Sequence, residues 1–171
     1  MLKKILIVLV VVVVIIQFFR PDKNDSNDQT YAISTKYEVP KDVDHVLAVA
    51  CYDCHSNNTR YPWYNNVQPV AWWLNNHVTD GKRHLNFSEF TNRPIAIQNH
   101  KLEETVEMVE KKEMPIESYT YLGLHSGANL NDEQRDMIVN WAKEQMAFLK
   151  ATYPADSLVM PKRRAPKKAD D

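Results

Sequence analysis

The chain has 171 residues, 44% of them hydrophobic and 25% charged, with a formal net charge of −1. That length allows one modest domain with appendages, and the near-neutral balance offers no field for nucleic acid, so no nucleic-acid partner is expected. Gly is scarce, at 3 residues against 9 Pro, and runs of alternating Val, Thr and aromatics are missing, which argues against an all-β fold.

Residues 1–20 form the first unit. Lys3 and Lys4 precede an unbroken apolar run from Ile5 to Ile16. Backbone inside lipid must bond to itself, so a helix is expected. A short apolar core also fits a cleaved signal peptide, but the exit Phe18-Phe19-Arg20-Pro21 shows no small-x-small cleavage site. The run therefore reads as an uncleaved signal-anchor, a single N-terminal transmembrane helix. It is a little shorter than the roughly 20 residues a bilayer needs. Leu2, Phe18, Phe19 and snorkelling lysines make up the difference. After the helix, Arg20 and Lys23 are diluted by Asp22, Asp25 and Asp28. The positive-inside rule then places the rest of the chain on the outer, periplasmic side of the cytoplasmic membrane. Residues 21–37 are polar and read as a flexible tether.

Residues 38–153 read as a small all-α domain. Pro40 to about Cys54 starts with good first-turn chemistry and carries Val43, Val46, Leu47 and Ala50 at helical spacing. Residues 57–93 are rich in aromatics, broken by Pro62 and Pro69, and helical only over about 69–78. They hold Tyr61, Trp63, Tyr64, Trp72, Trp73, Phe87 and Phe90. Aromatics need a large apolar surface to cover, either an ordinary core or a flat cofactor. His100 to about Lys112 carries Leu102, Val106 and Val109 on one face. Asn131 to about Tyr153 opens with a capping-box spacing, Asn131 to Gln134. Met137, Ile138, Trp141, Phe148 and Leu149 then form a stripe suited to core packing. Residues 154–171 include a basic stretch with little to bury, and read as a disordered tail.

The 2 cysteines stand three apart, in Cys51-Tyr52-Asp53-Cys54-His55. Two are too few for a disulfide framework. Cys-x-x-Cys-His is the attachment signature of c-type haem. Thiols one helical turn apart reach the two vinyl groups along one edge of the macrocycle, and the next His is directed under the iron. Cys51 and Cys54 are thus expected to hold one covalent haem c, with His55 as proximal iron ligand. Attachment takes place outside the cytoplasm, which agrees with the topology read from the N-terminus. A zinc site would recruit His77 and His84, but no second Cys-x-x-Cys or His-x₃-His pair exists. A thioredoxin-type pair would follow a strand in a βαβ unit, and no such pattern occurs.

For the sixth iron position, Met114 stands out. It leaves a helix after Lys111-Lys112-Glu113 and precedes Pro115, so its thioether can swing over the face opposite His55. Met108 and Met137 lie on or beside apolar helix faces, and Met146 and Met160 come late. His77, His84, His100 and His125 are the other contenders; His45 precedes the motif and belongs to the proximal side. Arg60, Trp63 and Asn86 are donors suited either to haem propionates or to turns.

Several blocks together resemble the bacterial haem-binding-domain proteins of the cytochrome c superfamily. They are Cys51 to Tyr64, Gln68 to Leu74 with His77, His84 to Ser88, His100 to Glu104, Glu113 to Tyr119, and Trp141-Ala142. The resemblance covers about residues 38–150. It implies a cytochrome-c-like helical fold, covalent haem on Cys51 and Cys54, and His55 as axial ligand. Met114-Pro115 is similar to the distal-Met loop of many class I cytochromes c.

A His/Met pair fills both axial positions and raises the haem potential, which suits one-electron transfer to redox partner proteins rather than enzymatic turnover. A membrane anchor would keep such a carrier near its partners. The alternative is a haem peroxidase or a gas or redox sensor with an open or His-ligated distal face, using Asn75, Asn76, His77, Arg83 and His84.

Overall fold

Helices carry the chain throughout the computed structural model, which describes residues 1–121 and 125–160. In chain order they are α1 (Leu2–Ile16), α2 (Lys41–Ala50), α3 (Tyr52–His55), α4 (Val70–His84), α5 (Ile95–Glu110), α6 (Glu117–Thr120) and α7 (Asp132–Thr152). Short 3₁₀ turns fall at Ile33–Thr35, Trp63–Asn66, Ser126–Ala128 and Ala155–Leu158. No strand forms among the described residues, although Tyr31 and Glu89 make an isolated parallel bridge. The expected all-α class is what the domain adopts.

The core is built on α5 and α7, which pack along each other, with α2 laid against α7. Leu102 and Val109 come from α5, Ile138, Trp141, Ala142 and Leu149 from α7, and Val43, Val46 and Leu47 from α2, all buried. Leu47, Leu102, Ile138 and Leu149 are at most 1% exposed, and each such side chain contributes about 1.5–3 kcal/mol by leaving water. The capping box of α7 forms as its spacing requires. Gln134 N–H donates to Asn131 Oδ1 at 2.8 Å, and Asn131 N–H donates to Gln134 Oε1 at 3.1 Å. The indole of Trp141 donates to Glu38 O at 2.9 Å, so its one polar atom is satisfied inside the core. From the predicted stripe Phe148 stays 43% exposed, touching Tyr37 edge-on at 6.1 Å.

Boundaries moved where tertiary contacts overrode local signals. The helix expected to start at His100 starts at Ile95, because Pro94 supplies the N-cap position and Ile97 and Gln98 donate to Pro94 O. The helix expected over 69–78 runs on to His84, through Gly81. The helix expected over 40–54 breaks at Cys51, whose φ of −125° and ψ of −45° separate α2 from α3.

Two expectations at the ends are corrected. The first concerns the transmembrane helix. α1 has 15 residues, about 22 Å at 1.5 Å per residue, against about 30 Å of hydrocarbon. Among the described residues no helix is long and apolar enough to cross a membrane. The helix stops because Gln17 folds its amide back onto Val13 O and Pro21 follows closely. The second concerns residues 21–37. They do not form a free tether but bind back onto the domain. Asn24 donates to Ser56 O and Thr59 Oγ1 at 2.8 and 2.9 Å and accepts from Thr59 N–H at 2.9 Å. Ile33 and Tyr37 enter the core. A polar stretch reads as linker from composition, yet here its amides satisfy the loop that follows the cysteine motif. At the other end, Leu158 packs on the core, so residues 154–160 are continuous with the domain. The basic part of the expected disordered tail, 161–171, lies outside the described residues.

Candidate haem site

The site starts from α3, a single helical turn. Cys54 N–H and His55 N–H both donate to Cys51 O, at 3.2 and 2.9 Å. Cys51, Cys54 and His55 therefore share one compact turn, and both cysteines are free thiols, half-buried. Burial pushes the Cys51 thiol up to about 12, with Cys54 adding to it. Burial also lifts Cys54 to about 11, with Asp53 second. Both are protonated at neutral pH, unlike the lowered thiols of redox-active Cys pairs.

His55 is held from two elements. Its Nδ1–H donates to Leu85 O at 2.9 Å, and its own carbonyl accepts from Phe87 N–H at 2.8 Å. The first bond selects the tautomer and leaves Nε2 as a lone pair, the arrangement by which proteins orient a metal-ligating imidazole. Burial lowers the His55 pKa, outweighing the backbone carbonyls of Leu85 and Gly81 that raise it, so the imidazole stays neutral.

α4 is what brings Leu85 there. It packs across α3 at Gly81, where an added Cβ would stand 2.6 Å from Cys54 O and 3.1 Å from Cys54 Cβ. Only a residue without a side chain permits that approach. Gly81 and Leu85 were not singled out in the sequence. The signal for Gly81 was a mid-helix glycine in a glycine-poor chain. Leu85 acts through its carbonyl, which no side-chain pattern announces.

Asp53, between the two cysteines, is 8% exposed and anchors the turn from behind. Oδ1 accepts from Arg60 N–H and Nε at 3.0 and 3.1 Å, and Oδ2 accepts from Tyr119 O–H at 2.7 Å. Arg60 also reaches Ala48 O. Asn86 is likewise committed, donating to Asn57 Oδ1 at 2.8 Å and accepting from Ser88 N–H at 2.9 Å. Two of the three suggested donors, Arg60 and Asn86, thus help to build the turn and its flank, while Trp63 remains 77% exposed. A cavity of about 330 Å³ is lined by Tyr52, Asp53, Arg60 and Phe87 but not by Cys51, Cys54 or His55.

Met114 is half-buried and follows α5. Its N–H donates to Met108 O at 3.2 Å, and its carbonyl accepts from Arg135 at 2.9 Å. No hydrogen bond among the described residues joins it to Cys51, Cys54 or His55. The loop returns to the cysteine turn through α6, where Tyr119 meets Asp53. Tyr119 also stacks on His125 with ring centroids 4.1 Å apart, and His125 Nδ1–H donates to Tyr119 O at 3.0 Å.

The polar set suggested for an open distal face, Asn75, Asn76, His77, Arg83 and His84, lies along α4. Arg83 and Asp80 form an exposed pair at 3.0 Å, and His77 lies against Trp73. His100 pairs with Glu104 of its own helix at 3.1 Å. His45 is exposed. Among the described residues no group of three or more His, Cys, Asp or Glu is arranged to hold a metal ion.

The donor set fits haem on its own chemistry: two protonated thiols and a neutral, oriented imidazole on one turn. The family comparison agrees. Residues 11–144 match the model of a haem-binding domain, from within α1 to within α7. This chain belongs to that haem-binding family and binds haem. No curated protein and no solved structure matches it significantly.

Proposed function

We propose that the domain is a c-type cytochrome, a one-electron carrier held at the outer face of the cytoplasmic membrane. The observation that carries this reading is the His55 Nδ1–H bond to Leu85 O at 2.9 Å on the turn that bears Cys51 and Cys54. Cys51 and Cys54 would hold the macrocycle through thioethers, and His55 Nε2 would bind the iron. Haem held there would supply one-electron chemistry between ferric and ferrous states. Protonated thiols fit thioether formation better than disulfide exchange, which needs a thiolate. Leu85 O fixes the imidazole so that the ligand does not reorient between redox states. Asp53, Arg60 and Gly81 hold the turn rigid.

Met114 is the proposed sixth ligand, delivered by a loop tied to α7 through Arg135 and to the cysteine turn through Tyr119. Membrane attachment draws support from α1, whose side chains from Leu2 to Ile15 are all exposed and, past Lys4, all apolar. Lys3 and Lys4 at its start add positive charge that anionic lipid attracts.

The test is a spectrum of the purified holoprotein. A low-spin haem with the Met-to-iron absorption band, lost in Met114→Ala, is expected. A high-spin ferric haem that binds carbon monoxide readily on reduction overturns electron transfer. A bis-histidine spectrum that survives Met114→Ala but not His125→Ala moves the sixth ligand to His125, whose Nδ1–H is engaged by Tyr119 O and whose Nε2 has no hydrogen-bond partner among the described residues.

A further inference from the structure

The end of α1 is clamped to the haem domain. Gln68 N–H donates to Gln17 Oε1 at 2.9 Å, and Gln68 Nε2 donates to Phe19 O at 2.7 Å. The indole Nε1–H of Trp72 donates to the same carbonyl at 2.9 Å. Arg20 donates to Asn66 O at 3.0 Å. Gln68 is 3% exposed, so this joint is built into the domain. A swinging tether would need free backbone here, and these bonds remove that freedom.

Large apolar side chains surround the joint and face solvent. Phe18, Phe19, Trp63, Val67, Trp72 and Trp73 are between 38% and 82% exposed. Indole rings that pair an apolar body with one polar N–H favour the boundary between lipid and water. The patch is continuous with the exposed apolar length of α1, and its polar neighbours Arg20 and Lys23 carry the charge that lipid phosphates attract. A soluble surface does not leave such a patch without a partner.

We propose that this face, Trp63 to Trp73 together with Phe18 and Phe19, lies in the headgroup layer of the bilayer and holds the haem domain in one fixed orientation. The inference rests on the membrane attachment proposed above. The occupant is lipid rather than a protein because the patch begins where the lipid-seeking helix ends and is hydrogen-bonded to it. The cysteine turn then keeps a constant aspect toward the water, since α4 carries both Trp72 and Trp73 at its start and Gly81 against Cys54 near its end.

The experiment uses full-length holoprotein in vesicles of phosphatidylcholine and phosphatidylglycerol. A spin label is placed on Val67→Cys, an exposed position, and a reference label on Glu133→Cys. Flotation with the vesicles is scored first. The expected result is that the Val67 label is relaxed by dissolved oxygen and protected from a water-soluble nickel chelate, while the Glu133 label shows the reverse. Trp72→Phe, which keeps a ring but removes the N–H, is expected to restore nickel access at Val67. Protein that floats with a nickel-accessible Val67 label overturns the fixed orientation and leaves membrane attachment standing. A Val67 label shielded from both reagents overturns lipid as the occupant in favour of a protein partner or a second copy. Protein that fails to float overturns the attachment itself, and this inference with it.

Discussion

The cysteine turn and the Met114 loop face the same proposed task, yet they are held very differently. Leu85, Phe87, Gly81, Asp53 and Arg60 all fix the turn, from α4, from the segment after it, and from the loop behind. The Met114 loop is tied by its backbone to Arg135 and by Tyr119 to Asp53. Its thioether has no hydrogen-bonded partner among the described residues. The difference teaches that the turn bearing the proposed proximal ligand is fixed by many bonds within the protein itself. The loop of the proposed distal ligand depends on a few bonds remote from the Met114 sulfur. A preorganised proximal ligand and a lightly tethered distal one would place most of the tunability on the distal side.

The largest effects belong to the turn. Cys51→Ser with Cys54→Ser is expected to abolish haem that survives denaturation, read as loss of the haem band on a denaturing gel. His55→Ala is expected to destroy the low-spin spectrum. Retention of either signal would break the assignment of the proximal half. Gly81→Ala comes next. Its methyl group meets a backbone carbonyl that cannot give way cheaply, so urea unfolding should show a loss of about 1–3 kcal/mol, together with poor haem loading. Unchanged stability would mean that α4 is free to shift.

Tyr119→Phe sharpens the comparison from the other side. Removing one hydrogen bond to Asp53 is expected to cost about 1 kcal/mol in urea unfolding, because Arg60 still pairs with the carboxylate. The Met-to-iron band should weaken while covalent haem stays intact. A change confined to the turn would deny the link between the two halves. The smallest effect is expected at the exposed Lys112–Asp132 pair, 2.8 Å apart, which bridges the start of the loop to the start of α7. Lys112 holds the Asp132 carboxyl below its ordinary 3.8. Any stability it adds is present above that value and fades as pH falls through the lowered one. Lys112→Ala should move the Asp132 titration upward by NMR and leave the melting temperature unchanged within error.

Much was legible in the residues alone. Helical periodicity and the Asn131 capping box located α7, because both are local to a few turns of backbone. Cys51, Cys54 and His55 declared their chemistry because the spacing of reactive atoms along one turn is itself a sequence property. Other features were invisible for an equally physical reason. Leu85 contributes a backbone carbonyl, and every residue has one. Gly81 drew no notice in the sequence, because its role depends on Cys54 packing against it. The polar stretch 21–37 looked unbound because composition does not show that Asn24, Ile33 and Tyr37 have partners distant in sequence. Arg60 and Asn86 suited either propionates or turns by their side chains, and only their distant partners Asp53 and Asn57 show them engaged in turns. The sequence by itself determined that the domain would be helical and which atoms are the candidates to bind haem. Only the tertiary structure decided how His55 is aimed, since that depends on a carbonyl thirty residues further along the chain, brought close by one missing side chain.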